Sequence, residues 1–135
     1  MGYTHYWRKG TNNDQEQYSA ALDEVFKMLR KSPVPLTIEV RKGGDIFFNG
    51  AEGDDYETFY LPADITDLEE FAFCKTALRP YDTIVVAALC VIDTLAPGVL
   101  DITSDGTSAE WMKGQGFACH TLEQLITVPN TIEDH

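Results

Sequence analysis

Apolar and polar residues alternate from Gly2 to Lys9, with Tyr3, His5 and Trp7 on one face and Thr4, Tyr6 and Arg8 on the other. Aromatic and β-branched residues at period two predict a strand. After the polar turn Gly10–Asp14 the period changes. Tyr18, Ala21, Leu22, Val25, Phe26 and Leu29 recur at three-and-four spacing and predict one stripe of a helix running to about Lys31. Asn13 with Glu16 has capping-box spacing at its start, and Ser32-Pro33 stops it. Alternation returns at Leu36, Ile38 and Val40, followed by a two-residue Gly43-Gly44 turn and a returning arm, Ile46–Asn49. A polar loop over Asn49–Asp55 leads to a strand over Glu57–Leu61, and Thr66 with Glu69 has the spacing to cap a short helical turn. Phe71–Thr76 is strand-like. Pro80 opens a helix to about Leu95, stopped by Pro97-Gly98. Its run Ile84–Ile92 is apolar on every side, so it must be covered all round. Val99–Thr103 is a further strand, Ser104-Asp105-Gly106 a turn, and Thr107 with Glu110 a second capping box. The helix it opens is expected to be short, ending after Trp111 where Gly114 and Gly116 interrupt it. A last helical turn over Thr121–Ile126 and a loose tail over 127–135 complete the chain.

This order predicts an α+β fold. We expect one domain over 1–126, with a mostly antiparallel sheet of about five to six strands and two main helices packed on it. Strand Phe71–Thr76, the central helix and strand Val99–Thr103 have the form of a crossover between parallel strands. A chain of 135 residues is one domain's worth and can bury its own core without staples.

Charge changes the picture. The net charge of −12 is unevenly distributed: residues 1–42 carry seven Lys/Arg against five Asp/Glu, and residues 43–135 carry three against seventeen. Such a field repels free nucleic acid and anionic membrane, and attracts a basic protein surface. The longest apolar run, the nine residues Ile84–Ile92, is far short of the ~20 that cross a bilayer. Three cysteines, Cys74, Cys90 and Cys119, are an odd number without paired spacing. They read as free thiols of a reducing compartment.

Lys75 and Arg79 are two of the three cations after Lys42, and they flank the start of the central helix. The first N–H groups of a helix lack intrahelical partners, so a cation pair there suits phosphate, carboxylate or sulfate. The candidate ligand site therefore takes in Lys75, Thr76 and Arg79, with Ser104 and Asp105 at the end of the following strand. Tyr3, His5, Tyr6 and Trp7 are the rings on which a base would stack. The alternative is that the rings pack in the core and that Lys75 and Arg79 pair with Asp82, Glu69 or Glu70. Cys74 or Asp105 would carry catalysis in a small nucleotide-processing enzyme, but no catalytic signature accompanies them, and a buried structural thiol is the simpler reading of Cys74. Glu52-Gly53-Asp54-Asp55 lacks the ligand spacing of a calcium loop, and no spacing of Cys and His indicates zinc. No cofactor and no metal are expected.

The opening GYTHYW, the block FCKTALRPYD and the later SDG with Trp111 resemble a family of small uncharacterised proteins encoded by tailed bacteriophages and prophages. The resemblance spans Gly2 to about Gly114. It implies an accessory protein in the host bacterial cytoplasm, directed against host defence. Two functions fit that setting. One is sequestration of a small phosphate-bearing ligand such as a nucleotide immune signal. The other is direct inhibition of a basic, nucleic-acid-binding host protein, of anti-CRISPR or anti-restriction type, through the acidic stretch Asp45–Glu70. Self-association is open in both.

Overall fold

The structure, a computed structural model, describes residues 3–40 and 44–133. Its elements follow as β1 (Thr4–Lys9), α1 (Gln15–Leu29), β2 (Leu36–Val40), β3 (Ile46–Gly50), β4 (Phe59–Leu61), β5 (Phe71–Lys75), α2 (Asp82–Leu95), β6 (Leu100–Ser104) and α3 (Ser108–Leu122). The class is α+β, as the alternating periods predict. The six strands form two antiparallel three-stranded sheets, ordered β5-β1-β6 and β2-β3-β4. β5 and β6 both run antiparallel to β1, which lies between them, so the crossover through α2 joins parallel strands that are not neighbours.

The two sheets share one core. Trp7 of β1 and Phe48 of β3 meet on the ring of Phe59 in β4, with centroids 5.2 and 5.0 Å from it. Every residue of Ile84–Ile92 is buried, because α2 packs between α1 and α3 and against β6. The apolar stripe of α1 faces α2, and the buried Tyr18 hydroxyl at its start donates to the Pro62 carbonyl at 2.6 Å.

Several boundaries differ from the sequence reading. The cap of α1 is Asp14, which accepts from the Gln17 N–H; Asn13 plays no part in it. Asp64 caps the single 3-10 turn Ile65–Asp67, where Thr66 and Glu69 were expected to act. The Gly43-Gly44 turn lies outside the described residues except for Gly44, whose φ is +92°. α2 starts at Asp82, two residues beyond Pro80.

The largest difference is α3. It continues through both glycines for fifteen residues and ends at Glu123 in the left-handed conformation. Packing explains this. A Cβ on Gly114 would lie 2.6 Å from Val86 Cγ1 and 2.8 Å from the Thr83 carbonyl oxygen, so the bare backbone lets α3 close onto α2. The tertiary contact outweighs the roughly 1 kcal/mol that glycine costs a helix. The expected loose tail is tied down as far as Glu133. Ile126 and Ile132 are buried, the Ser108 N–H donates to the Glu133 carbonyl, and the Thr131 hydroxyl donates to the Ile102 carbonyl.

Candidate functional site

Strand register brings distant parts of the chain together at the mouth of α2. In β1, His5 lies opposite Cys74 of β5 and Ser104 of β6, and Thr4 lies opposite Lys75. The fully buried His5 ring bridges the end of β6 and the first turn of α2. Its Nδ1 is 2.7 Å from Ser104 Oγ, and its Nε2 is 2.6 Å from Asp82 Oδ1. The Thr76 hydroxyl donates to the same Asp82 oxygen at 2.6 Å. Ser104 Oγ accepts two N–H groups, from Gly106 at 2.9 Å and from Trp111 Nε1 at 3.1 Å. With both lone pairs occupied, the Ser104 proton points at His5 Nδ1, and the Nε2 proton goes to Asp82. Tyr3 and Trp111 set their edges against the His5 ring, each with centroids 5.2 Å away. Burial, then the carboxylates of Asp82, Glu110 and Asp105, raise the Tyr3 phenol well above its ordinary value, so it stays protonated.

Ser104, His5 and Asp82 are the residue types of a nucleophilic triad, joined in the same sequence of contacts. The geometry does not present the hydroxyl for attack. Its oxygen is saturated by N–H donors, and Ser104 does not line the adjoining cleft. The array clamps β6, β1 and the first turn of α2 to one another. Cys74 is equally unsuited to attack. It is fully buried, its S–H donates to the Glu57 carbonyl at 3.4 Å, and burial beside the Glu57 carboxylate pushes its thiol up to about 12. Among the described residues no cluster of His, Cys, Asp and Glu has the form of a metal site.

The cations lie just outside the clamp. Thr76, Ala77, Leu78 and Arg79 form a tight turn, closed by the Arg79 N–H on the Thr76 carbonyl at 3.0 Å. Ala77 and Leu78 both hold left-handed backbone, φ +51° and +56°, which costs about 1–2 kcal/mol per non-glycine residue. The turn carries Leu78 and Arg79 out to the lip of a cleft of about 520 Å³ between α2, α3 and the Pro33-Val34 segment. Pro33, Val34, Leu78, Pro80, Val86 and Phe117 make the wall apolar. Arg79 and Lys113 supply cations to it, and Asp82 and Glu110 supply carboxylates. Tyr81 holds the N-cap position of α2 with no side-chain cap bond.

Neither Lys75 nor Arg79 has an ion pair among the described residues, so neither is neutralised by Asp82, Glu69 or Glu70. Both lie near the exposed Tyr56 ring instead, at 5.6 and 5.9 Å from its centroid. Of the residues singled out from sequence, Tyr3, His5, Thr76, Ser104 and Asp105 converge. Asp105 accepts from the Thr4 N–H at 3.0 Å and from the Tyr6 hydroxyl at 3.3 Å. Trp7 is buried against Phe59, away from this point, and Tyr6 lies on the other face of the strand, stacked on Phe71. Lys113 was missed, although it is the third and last cation after Lys42.

Comparisons with protein-family models, curated proteins and solved structures return no match to this chain.

Proposed function

We propose that this chain is a binding protein that sequesters a small phosphate-bearing ligand of nucleotide type in the cleft at the mouth of α2. The observation that carries the reading is the pair Arg79 and Lys113. Both line the cleft, which takes in the first two residues of α2, Asp82 and Thr83, and neither has an ion pair among the described residues. Phosphate suits such a setting. The apolar wall takes a flat, weakly polar ring, and the carboxylates of Asp82 and Glu110 suit the N–H groups of a base edge. The stacking surface is thus Pro33, Leu78 and Phe117 in place of Tyr6 and Trp7. The saturated Ser104 and the buried Cys74 favour holding a ligand over converting it. In the phage setting that the resemblance implies, the ligand is a nucleotide signal of host defence in the bacterial cytoplasm; no helix among the described residues is long and apolar enough to cross a membrane.

Thermal-shift and calorimetric titration with AMP, GMP, cyclic AMP and cyclic di-GMP tests this. Ligand at about 100 times Kd stabilises the fold by about 2.7 kcal/mol. Arg79→Ala and Lys113→Ala each weaken binding by about tenfold, the loss of one charge-assisted contact. If none of the four nucleotides shifts the melting temperature, the reading fails.

A further inference from the structure

Among the described residues, the side of the β5-β1-β6 sheet away from the helices carries exposed or half-buried side chains. Its inner face, with His5, Trp7 and Ile102, is buried, and the strand alternation puts Tyr6, Arg8, Phe71, Phe73, Asp101 and Thr103 outward. Phe71 and Phe73 are 43% and 54% exposed, an uncommon display of two phenyl rings on adjacent outward positions of one strand. Tyr6 lies directly opposite Phe73 and stacks on Phe71, with centroids 6.1 Å apart at 25°. Carboxylates surround this aromatic strip. Glu69 and Glu70 lead into β5, Asp101 of β6 lies opposite Arg8 of β1, and Asp105 sits at the Tyr6 hydroxyl. Glu69, Glu70 and Asp101 are exposed, and none has an ion pair among the described residues. The chain also shows what such a surface holds: the Arg8 guanidinium lies over Phe71, 5.2 Å from its centroid.

We infer that this face docks an arginine-bearing segment of a basic protein. A guanidinium stacks flat on an aromatic ring while its edge donates to a carboxylate, and a strip of three rings edged by acids offers both contacts together. Arg8 occupies one ring, and Phe73 is the open one. The charge of the whole molecule, −12, favours the same occupant. It disfavours single-stranded nucleic acid, the other ligand that stacks on sheet aromatics, because the phosphates would enter a field of their own sign. The surface lies across the sheet from the cleft, so this inference does not depend on the ligand reading.

The test is fluorescence anisotropy on the full chain with three probes: a short arginine-rich peptide, its lysine-for-arginine counterpart of equal charge, and an oligouridylate. The arginine peptide should bind about three- to tenfold tighter than the lysine peptide, the margin that stacking on an aromatic ring supplies. Phe73→Ser, at a side chain more than half exposed, should keep the melting temperature and abolish that margin. Leu78→Ser in the cleft should leave it unchanged. Equal affinity for the two peptides overturns the proposal, as does a margin that survives Phe73→Ser. Tighter binding of the oligouridylate would instead make the face a platform for nucleic acid. Sedimentation showing a dimer that Phe73→Ser dissolves would make the occupant a second copy of the chain.

Discussion

Gly114 and Gly116 sit two residues apart in α3, and the structure predicts that alanine has opposite effects at them. In a helix interior, replacing Gly by Ala is favourable by about 0.8–1 kcal/mol. At Gly116, which is exposed, a Cβ meets nothing within 4 Å, so that gain is realised in full. At Gly114 the same methyl lies 2.6 Å from Val86 Cγ1 and 2.8 Å from the Thr83 carbonyl oxygen. Val86 is buried and the carbonyl belongs to α2, so the helices must separate. Overpacking of this kind costs about 1–3 kcal/mol, which outweighs the propensity gain. The two variants should therefore differ by about 2 kcal/mol. For a domain of this size that is roughly 7 °C in melting temperature, Gly116→Ala above the parent and Gly114→Ala below. Calorimetric or circular-dichroism melts at matched pH decide it. If both variants shift upward, α3 does not close onto α2 as described, and the wall of the cleft is misplaced with it.

Two further outcomes follow from the buried groups. Ser104→Ala leaves the Trp111 Nε1–H, the Gly106 N–H and His5 Nδ1 without their shared partner, and should destabilise by roughly 2–4 kcal/mol, given about 1–3 kcal/mol for each stranded polar group less what water recovers; an unchanged melting temperature and an unshifted Trp111 indole proton would refute the clamp. Cys74 should resist alkylation at pH 8 until the chain unfolds, while the partly exposed Cys119 reacts first. The Cys74 proton should also make stability fall with alkali. Below about pH 8.5, the ordinary thiol value, folded and unfolded chains both keep it, and stability is indifferent to it. From there up to about 12 the unfolded chain loses it first, so stability declines by about 1.4 kcal/mol per pH unit for this thiol. Tyr18 and Tyr81, raised chiefly by burial, steepen the decline above pH 10, and flat urea midpoints between pH 8 and 10.5 would contradict the burial of these groups.

Local pattern made most elements legible. The stripe of α1, the all-apolar run of α2 and the alternation of β1 depend on neighbours three, four or two apart, and each element appears where its period lies. The Thr107–Glu110 capping box is also local, and both of its reciprocal bonds form. What sequence missed is long-range. The helix-breaking tendency of Gly114 is overridden by Val86, twenty-eight positions away in the chain. The Ser104–His5–Asp82 array links residues 99 and 77 positions apart, and no local spacing signals it. Lys113 is legible by charge alone, since the acidic part of the chain has three cations, Lys75, Arg79 and Lys113. Tyr6 and Trp7 belong to the same dense run of rings as Tyr3 and His5, which reads from sequence as one stacking wall. Strand alternation puts Tyr6 on the opposite face from His5, and Trp7, though on the same face, extends along the strand into the inter-sheet core.

We propose that the cleft beside α2 holds a phosphate-bearing ligand. The most direct test is amide chemical-shift mapping of the full chain titrated with the nucleotides named above. Saturable shifts are expected at Thr83, Lys113 and Gly114, absent in Arg79→Ala/Lys113→Ala, with the amides of Phe71 and Phe73 unmoved. Shifts confined to the outer face of the β5-β1-β6 sheet, or none at saturating nucleotide, would contradict it.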